Sequence, residues 1–232
     1  NTIKSVLLQN YSNLEFIIID GGSNGRVITK IKKYDDYIDY WISQKDAGIW
    51  DAWNKGIQLS TGKFICFLNV GDFFKENSIK SIVRKINNNK NIEIIFGAVK
   101  KKKIFSGFNP EKISVRLNIF PSFVSTFVCS NIYKRYGLFD LKFKYFNDYE
   151  FIYRLIKKKE LNWEATSQNE VITVFDLKGY SSKIGIIKSL SEEFKIRSKY
   201  ENILLILLKI IFKYFRFYYL KIFWKKRFLK YN

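Results

Sequence analysis

The sequence predicts an α/β fold, a mixed and mostly parallel sheet flanked by helices, followed by a basic helical tail. Three observations predict it. Over roughly the first hundred residues, short apolar runs alternate with helical patterns, the signature of βαβ units. The runs LEFIIID (Leu14 to Asp20) and KFICFLN (Lys63 to Asn69) are nearly unbroken, as strands buried on both faces are. Of 232 residues, 47% are hydrophobic and 27% charged, a globular balance with enough chain for a substantial core.

Thr2 to Gln9 reads as a helix, and Leu14 to Asp20 as a strand that ends on an acid. Gly21 to Gly25 form a turn, followed by a helix over Arg26 to Tyr34 and a strand over Ile38 to Ser43. Trp50 to Leu59 is a helix stopped by Ser60, Thr61 and Gly62. Lys63 to Asn69 is the next strand, Glu76 to Asn87 a helix, and Asn91 to Val99 a fourth strand. Beyond Lys100 a polar loop region leads to helices over Ser130 to Tyr136 and Asp148 to Lys159. Short strands are expected at Leu161 to Ala165 and Val171 to Phe175.

From about residue 183 the composition turns basic, and Asn202 to Trp224 is strongly apolar and aromatic. Lys209, Lys213, Arg216 and Lys221 interrupt that stretch, the first three on one narrow helical stripe. A charged stripe opposite a wide apolar face suits a helix lying in an anionic membrane surface, and the Trp224-Lys225-Lys226-Arg227 end fits headgroups. The alternative is a helix packed on the domain with solvated lysines. The expected organisation is a domain over residues 1–182 and an amphipathic tail over 183–232.

The formal charge of +20 favours polyanionic partners: phosphorylated substrates, an anionic membrane or nucleic acid. With no histidine, His-based catalysis and His-ligated zinc are excluded. Cys66 and Cys129 stand alone in apolar runs and read as buried thiols of a reducing compartment.

In open α/β sheets ligands bind beyond the carboxyl ends of the strands. Asp20 and Asp72 both follow strands there, although an acid in that place is commonly a turn or cap residue. Between them lies Asp46-Ala47-Gly48-Ile49-Trp50-Asp51-Ala52-Trp53-Asn54-Lys55-Gly56. In these blocks the sequence resembles family-2, GT-A-type glycosyltransferases, nearest the branch that builds bacterial surface polysaccharides. The matching segments are SVLLQNY (Ser5 to Tyr11), IIIDGGS (Ile17 to Ser23), DAGIWDAWNKGI (Asp46 to Ile57) and STGKFICFLNVGD (Ser60 to Asp72). YGLFD (Tyr136 to Asp140), NDYEFIYRL (Asn147 to Leu155) and GYSS (Gly179 to Ser182) continue the order.

The resemblance implies a Rossmann-like GT-A sheet whose first strand would precede residue 1. It implies an inverting enzyme that moves a sugar from a nucleotide-sugar donor to a saccharide or lipid-linked acceptor, peripheral at the cytoplasmic face of the membrane. Asp20, Gly22, Ser23, Asp46, Gly48, Asp51 and Asn54 would line the donor pocket. Asn69-Val70-Gly71-Asp72 stands where the family's Asp-x-Asp element holds Mg²⁺ or Mn²⁺, so Asn69 and Asp72 would be the metal's ligands, with one carboxylate between them. Asp148 aligns with the catalytic base, at a helix start; taken by itself it reads equally as an N-cap, and Glu150 is the alternative base. Arg154 either binds phosphate or pairs with an acid of its own helix. Two other readings remain: a non-catalytic relative, and a basic nucleic-acid binder. No nucleic-acid motif appears in the sequence, and nucleic acid is not expected as a partner.

Overall fold

The computed structural model describes residues 1–101, 122–157, 161–167, 169–175, 185–212 and 215. The GYSS block at Gly179 to Ser182 and residues 216–232, including the Trp224 to Arg227 end, lie outside the described residues, as do residues 158–160 at the end of the helix expected to reach Lys159. The chain opens with α1 (Thr2–Leu7), then β1 (Ile17–Asp20), α2 (Gly25–Lys32) and β2 (Tyr40–Ser43). β1 and β2 pair in parallel, from Ile17 opposite Tyr40 to Asp20 opposite Ser43. α3 (Ile49–Leu59), β3 (Phe64–Ile65), β4 (Phe73–Phe74) and α4 (Ser78–Asn88) follow. Next come β5 (Ile94–Phe96), β6 (Ala98–Lys101), β7 (Thr126–Cys129), α5 (Ser130–Tyr136), α6 (Asn147–Lys157), β8 (Trp163–Ala165), β9 (Val171–Phe175) and α7 (Ile186–Ser198). Residues 203–212 are helical.

Beyond the β1–β2 pair, two further sheets run in the orders β3-β7-β5-β8 and β4-β9-β6. The architecture is the mixed α/β arrangement expected, with a larger antiparallel share than strand–helix alternation implies. Among the described strands β1–β2, β5–β8 and β6–β9 are parallel, while β3–β7, β4–β9 and β5–β7 are antiparallel. The cause is β7, which arrives from the second half of the chain and inserts between β3 and β5, antiparallel to both.

The strand expected over Asn91 to Val99 is two strands in two sheets, broken at Gly97. The Gly97 N–H donates to the Ser125 carbonyl at 2.8 Å, so close that a methyl group at position 97 would sit 2.8 Å from Ile172 Cγ1 and collide with Ser125. Successive residues of β5 feed opposite faces, as pleating requires. Ile94 and Phe96 enter an aromatic-rich core with Trp53, Phe67 and Phe139, whereas Ile95 enters a second core with Phe74, Ile82 and Phe127. In the first core Trp53 stacks on Phe67 with ring centres 4.3 Å apart, and Phe139 lies 5.0 Å from Phe151 of α6.

α7 meets α6 through a buried arginine laid over two tyrosine rings. Arg197 is fully buried between Glu193 and Glu201, each at 3.2 Å, and its guanidinium lies over Tyr149 and Tyr153. Burying an arginine is tolerated only when carboxylates compensate the lost hydration. The three acids of the sequence after residue 183 are Glu192, Glu193 and Glu201, and all three are drawn into this seam.

Candidate functional site

Two turns share one edge of the molecule. Glu15, ahead of β1, accepts hydrogen bonds from the N–H groups of Thr61 (2.9 Å) and Gly62 (3.1 Å), ahead of β3. Further along the same two segments, Ile19 and Phe67 both lie against Gly56 of α3. The segments therefore run side by side in one direction, and the Asp20 turn and the Asn69–Asp72 turn leave at the same edge.

Asp20 is buried, and one carboxylate oxygen accepts from Gly22 N–H (3.1 Å), Ser23 N–H (2.8 Å) and the Ser43 hydroxyl (2.7 Å). Burial opposes its charge, but these donors outweigh burial and hold its pKa below the usual carboxylate value. Asp20 thus fixes the shape of the Gly21–Ser23 turn and ties it to β2. Gly21 touches Asp46: a methyl group there would run into the Asp46 carboxylate. Asp46 in turn accepts from Gly48 N–H at 2.9 Å. Asp51, in the first turn of α3, accepts from Ala47 N–H (3.0 Å) and pairs with Lys55 (3.3 Å); the N–H bond foremost holds its pKa low. The Asp20 turn and residues 46–51 form one continuous rim at the start of α3.

Asn54 stands apart from that rim. It is buried, and its amide donates to the Phe139 carbonyl (2.9 Å) and accepts from Phe139 N–H (3.0 Å), clamping α3 to the segment that precedes α6. The family motif runs through a structural residue here.

The Asn69–Asp72 turn closes through Asp72 N–H to the Asn69 carbonyl at 3.0 Å, with Gly71 at φ +99°, a conformation that glycine adopts at little cost. Thr2 of α1 pins it: its hydroxyl accepts from Gly71 N–H (3.1 Å) and donates to the Asp72 carbonyl (2.8 Å). Sequence reasoning did not single out Thr2. Among the described residues, no three His, Cys, Asp or Glu side chains gather into a cation cage. Asp72 is buried and Asn69 partly so; a carboxylate and an amide oxygen are hard donors, the type that Mg²⁺ or Mn²⁺ takes.

Asp148 occupies the first turn of α6, half-buried, with Oδ1 accepting from Tyr149 N–H at 2.8 Å. Burial pushes its pKa up to about 6; the Tyr149 N–H pulls the other way, and the Glu192 carboxylate adds to the rise. The start of α6 is tied to the donor-side rim by Trp50 of α3, whose indole N–H donates to the Lys144 carbonyl at 2.8 Å. Glu150, the alternative base, is buried, paired with Arg154 (3.2 Å), and accepts from the Tyr200 hydroxyl (3.1 Å). Arg154 takes the pairing alternative and also donates to the carbonyls of Tyr136 (2.7 Å) and Leu138 (2.8 Å). Glu192 is a second residue the sequence reading passed over. The available signal was an acid pair, Glu192-Glu193, inside a basic stretch.

A mixed sheet flanked by helices, with acidic turns gathered at one edge, is the layout of GT-A-type glycosyltransferases. The chain belongs to glycosyl transferase family 2, whose profile matches residues 1–184. An uncharacterized glycosyltransferase of Rickettsia typhi is 27% identical over 172 residues, 67% of this chain and 53% of that protein. One from Mycobacterium tuberculosis is 39% identical over 74 residues, 32% of this chain and 28% of that protein. The chain thus spans about half the length, or less, of these relatives. Among solved structures, Staphylococcus aureus TarS residues 1–349 with UDP-GlcNAc superposes with a TM-score of 0.69 at 13% identity, covering 90% of this chain and 62% of that one. The mannosyltransferase PcManGT of Pyrobaculum calidifontis, with GDP-Man and Mn²⁺, gives 0.63 at 12%, covering 85% and 58%.

Proposed function

We propose that this protein is an inverting glycosyltransferase that moves a sugar from a nucleotide-sugar donor to a saccharide or lipid-linked acceptor in bacterial surface-polysaccharide synthesis. The observation that carries the reading is Asp148, a half-buried carboxylate with a raised pKa, at the start of a helix joined through Trp50 to the acidic rim around Asp20 and Asp46. UDP-GlcNAc and GDP-Man in structures of the same fold support a nucleotide-sugar as donor.

The nucleoside would lie along the rim built by Asp20, Gly22, Ser23, Asp46, Gly48 and Asp51, where the open space beside Gly48 leaves backbone accessible to a flat ligand. Asn69 and Asp72 would hold Mg²⁺ or Mn²⁺. A cation held there would supply positive charge for the diphosphate oxygens of the donor. Asp148 takes the proton of the acceptor hydroxyl while that oxygen bonds to the anomeric carbon from the face opposite the leaving group, inverting its configuration. A base with pKa near 6 is largely ionised at neutral pH yet retains useful basicity. Asn54 and Arg154 act behind the site, setting the position of the Tyr136–Phe139 segment.

The domain at residues 1–182 would carry this chemistry, with residues beyond 183 continuing into a surface that rests on the cytoplasmic face of the membrane. In support, the helix at 203–212 turns Leu204, Leu208 and Ile211 outward, at 68%, 57% and 65% exposure, while Ile206 is buried and Lys209 reaches Glu201 at 2.7 Å. Among the described residues of this helix most apolar side chains face out, and Lys209 turns toward Glu201. Among the described residues no helix is long and apolar enough to cross a membrane.

Nucleotide-sugars screened for Mn²⁺-dependent thermal stabilisation, together with transfer assays, test the reading. Asp148→Asn should keep donor-induced stabilisation and lose transfer by at least ~10²-fold. Asp72→Ala should abolish the Mn²⁺-dependent part of the stabilisation. Full transfer by Asp148→Asn would overturn the assignment of the base.

A further inference from the structure

We propose that Glu192 of α7 is a positioning residue for the transfer reaction, holding the start of α6, and with it Asp148, in register with the donor-side helix α3. The inference rests on Asp148 being the base. It adds a residue from a helix beyond residues 1–184, the span that matches the family profile.

The geometry is a cradle. Glu192 is buried, and its two carboxylate oxygens accept from three consecutive main-chain N–H groups: Lys144 at 2.5 Å, Tyr145 at 2.7 Å and Phe146 at 2.8 Å. Successive N–H groups converging on one anion form a nest, and charge-assisted bonds of this kind are short and strong. Phe146 is also the first carbonyl of the helix, accepting from Glu150 N–H at 2.9 Å. The carboxylate therefore sits on the backbone from which α6 springs, two residues before Asp148.

Lys144 shows why this fixes register and not only the loop. Its N–H donates to Glu192 of α7, and its carbonyl accepts from the Trp50 indole of α3 at 2.8 Å. Two residues of α3 thus hold the approach to α6, Trp50 at Lys144 and Asn54 at Phe139, and Glu192 braces it from the opposite side. Asn147 closes the base of the loop onto Asp140, donating to its carbonyl at 2.6 Å and accepting from its N–H at 3.2 Å. The distance from Asp148 to a sugar bound at the rim of α3 is set by these ties. A base displaced by about 1 Å can lose ~10²-fold in rate.

Glu192 also acts on Asp148 through space. Two carboxylates near one helix start repel, so the Glu192 charge works with burial to hold the Asp148 proton. The other charged groups around α6 are engaged elsewhere: Glu150 with Arg154, Asp140 with Lys199, and Arg197 with Glu193 and Glu201.

The test is Glu192→Gln beside Glu192→Asp in the full chain, with melting temperature, nucleotide-sugar affinity, kcat and the acid limb of kcat/KM measured for each. Glu192→Gln keeps an acceptor oxygen and removes the charge. It is expected to leave donor affinity unchanged, to lower kcat roughly tenfold or more, and to move the acid limb below that of the parent protein. Glu192→Asp keeps the charge on a shorter arm, so kcat should fall while the acid limb stays in place. A fall in melting temperature with parental kcat and an unmoved acid limb in Glu192→Gln would reduce Glu192 to a structural brace and overturn the proposal. If Glu192→Gln does not fold, a parental kcat in Glu192→Asp overturns it instead. Failure of the underlying reading is separate: it would appear as full transfer by Asp148→Asn, whatever the Glu192 variants do.

Discussion

Asp148 holds its charge against the preference of the fold. In an unfolded chain an aspartate titrates near ~3.9, but burial raises the native value to about 6. The native state therefore binds this proton more tightly than the unfolded state. The stabilisation that results is complete below pH ~4 and is lost as pH rises through about 6. At pH 8 the parent protein carries a half-buried anion, so Asp148→Asn should be more stable by about 1–2 kcal/mol there. Chemical denaturation at pH 8 and at pH 4 measures this, and the two proteins should converge at the lower pH. Equal stability at pH 8 would show that the carboxylate is well solvated. A gain in stability joined to a loss of transfer is the trade expected where a site is built for chemistry. At this scale the sequence marks out residues in motifs but not what they touch. Asp20 reads as an acid at a strand end followed by a turn, which accounts for its Gly22 and Ser23 donors, but its third donor, Ser43, becomes visible only when the chain returns in β2. Asn54 sits inside a motif that points to the donor, yet its amide pairs with Phe139, 85 residues away. No local pattern encodes such a partner.

Among the elements, most with strong local signals were legible, and those defined by distant partners were not. The apolar run Lys63 to Asn69 is an exception, being strand only at Phe64–Ile65, where β7 pairs with it. β9 (Val171–Phe175) spans the same residues in sequence and structure, and the helices over α3 and α4 shift by only a residue or two at their starts. By contrast β7, the strand between β3 and β5, lies in FVSTFVC (Phe123 to Cys129), which has no alternation because it is buried throughout. β4 is two residues long and exists through its pairing with β9. The division of one apolar run into β5 and β6 turns on Gly97, where two sheets part and the chain passes against Ser125. Gly97→Ala has nowhere to put its methyl group, since Ser125 presents backbone and Ile172 is fully buried. Overpacking of this kind costs about 1–3 kcal/mol. A denaturant midpoint lowered accordingly, with an unchanged slope, would confirm the close approach; an unchanged midpoint would mean that the two sheets yield easily at this junction.

At the scale of the whole molecule, a basic composition and an exposed apolar helix face occur in the same stretch of sequence. The formal charge is +20 and the sequence after position 183 is basic, while the helix at 203–212 exposes Leu204, Leu207, Leu208, Ile211 and Phe212, and Phe215 is exposed as well. An isolated exposed leucine is ordinary, but a contiguous apolar face turned to solvent demands a partner. A partner that is anionic and apolar at once fits both features, and a lipid headgroup region is such a surface. The protein should therefore cosediment with vesicles containing phosphatidylglycerol and much less with purely zwitterionic ones. Attraction between exposed charges weakens as the screening length falls from ~10 Å at 0.1 M salt to ~3 Å at 1 M, so raising salt should release part of the bound protein and leave an apolar remainder. Leu208→Glu with Phe212→Glu places charge on the buried side of the interface and should abolish that remainder without changing nucleotide-sugar affinity, because neither residue is among those that build the rim at Asp20 and Asp46. Equal binding to both vesicle types, or parental binding by the double variant, would assign the apolar face to a protein partner in place of the membrane.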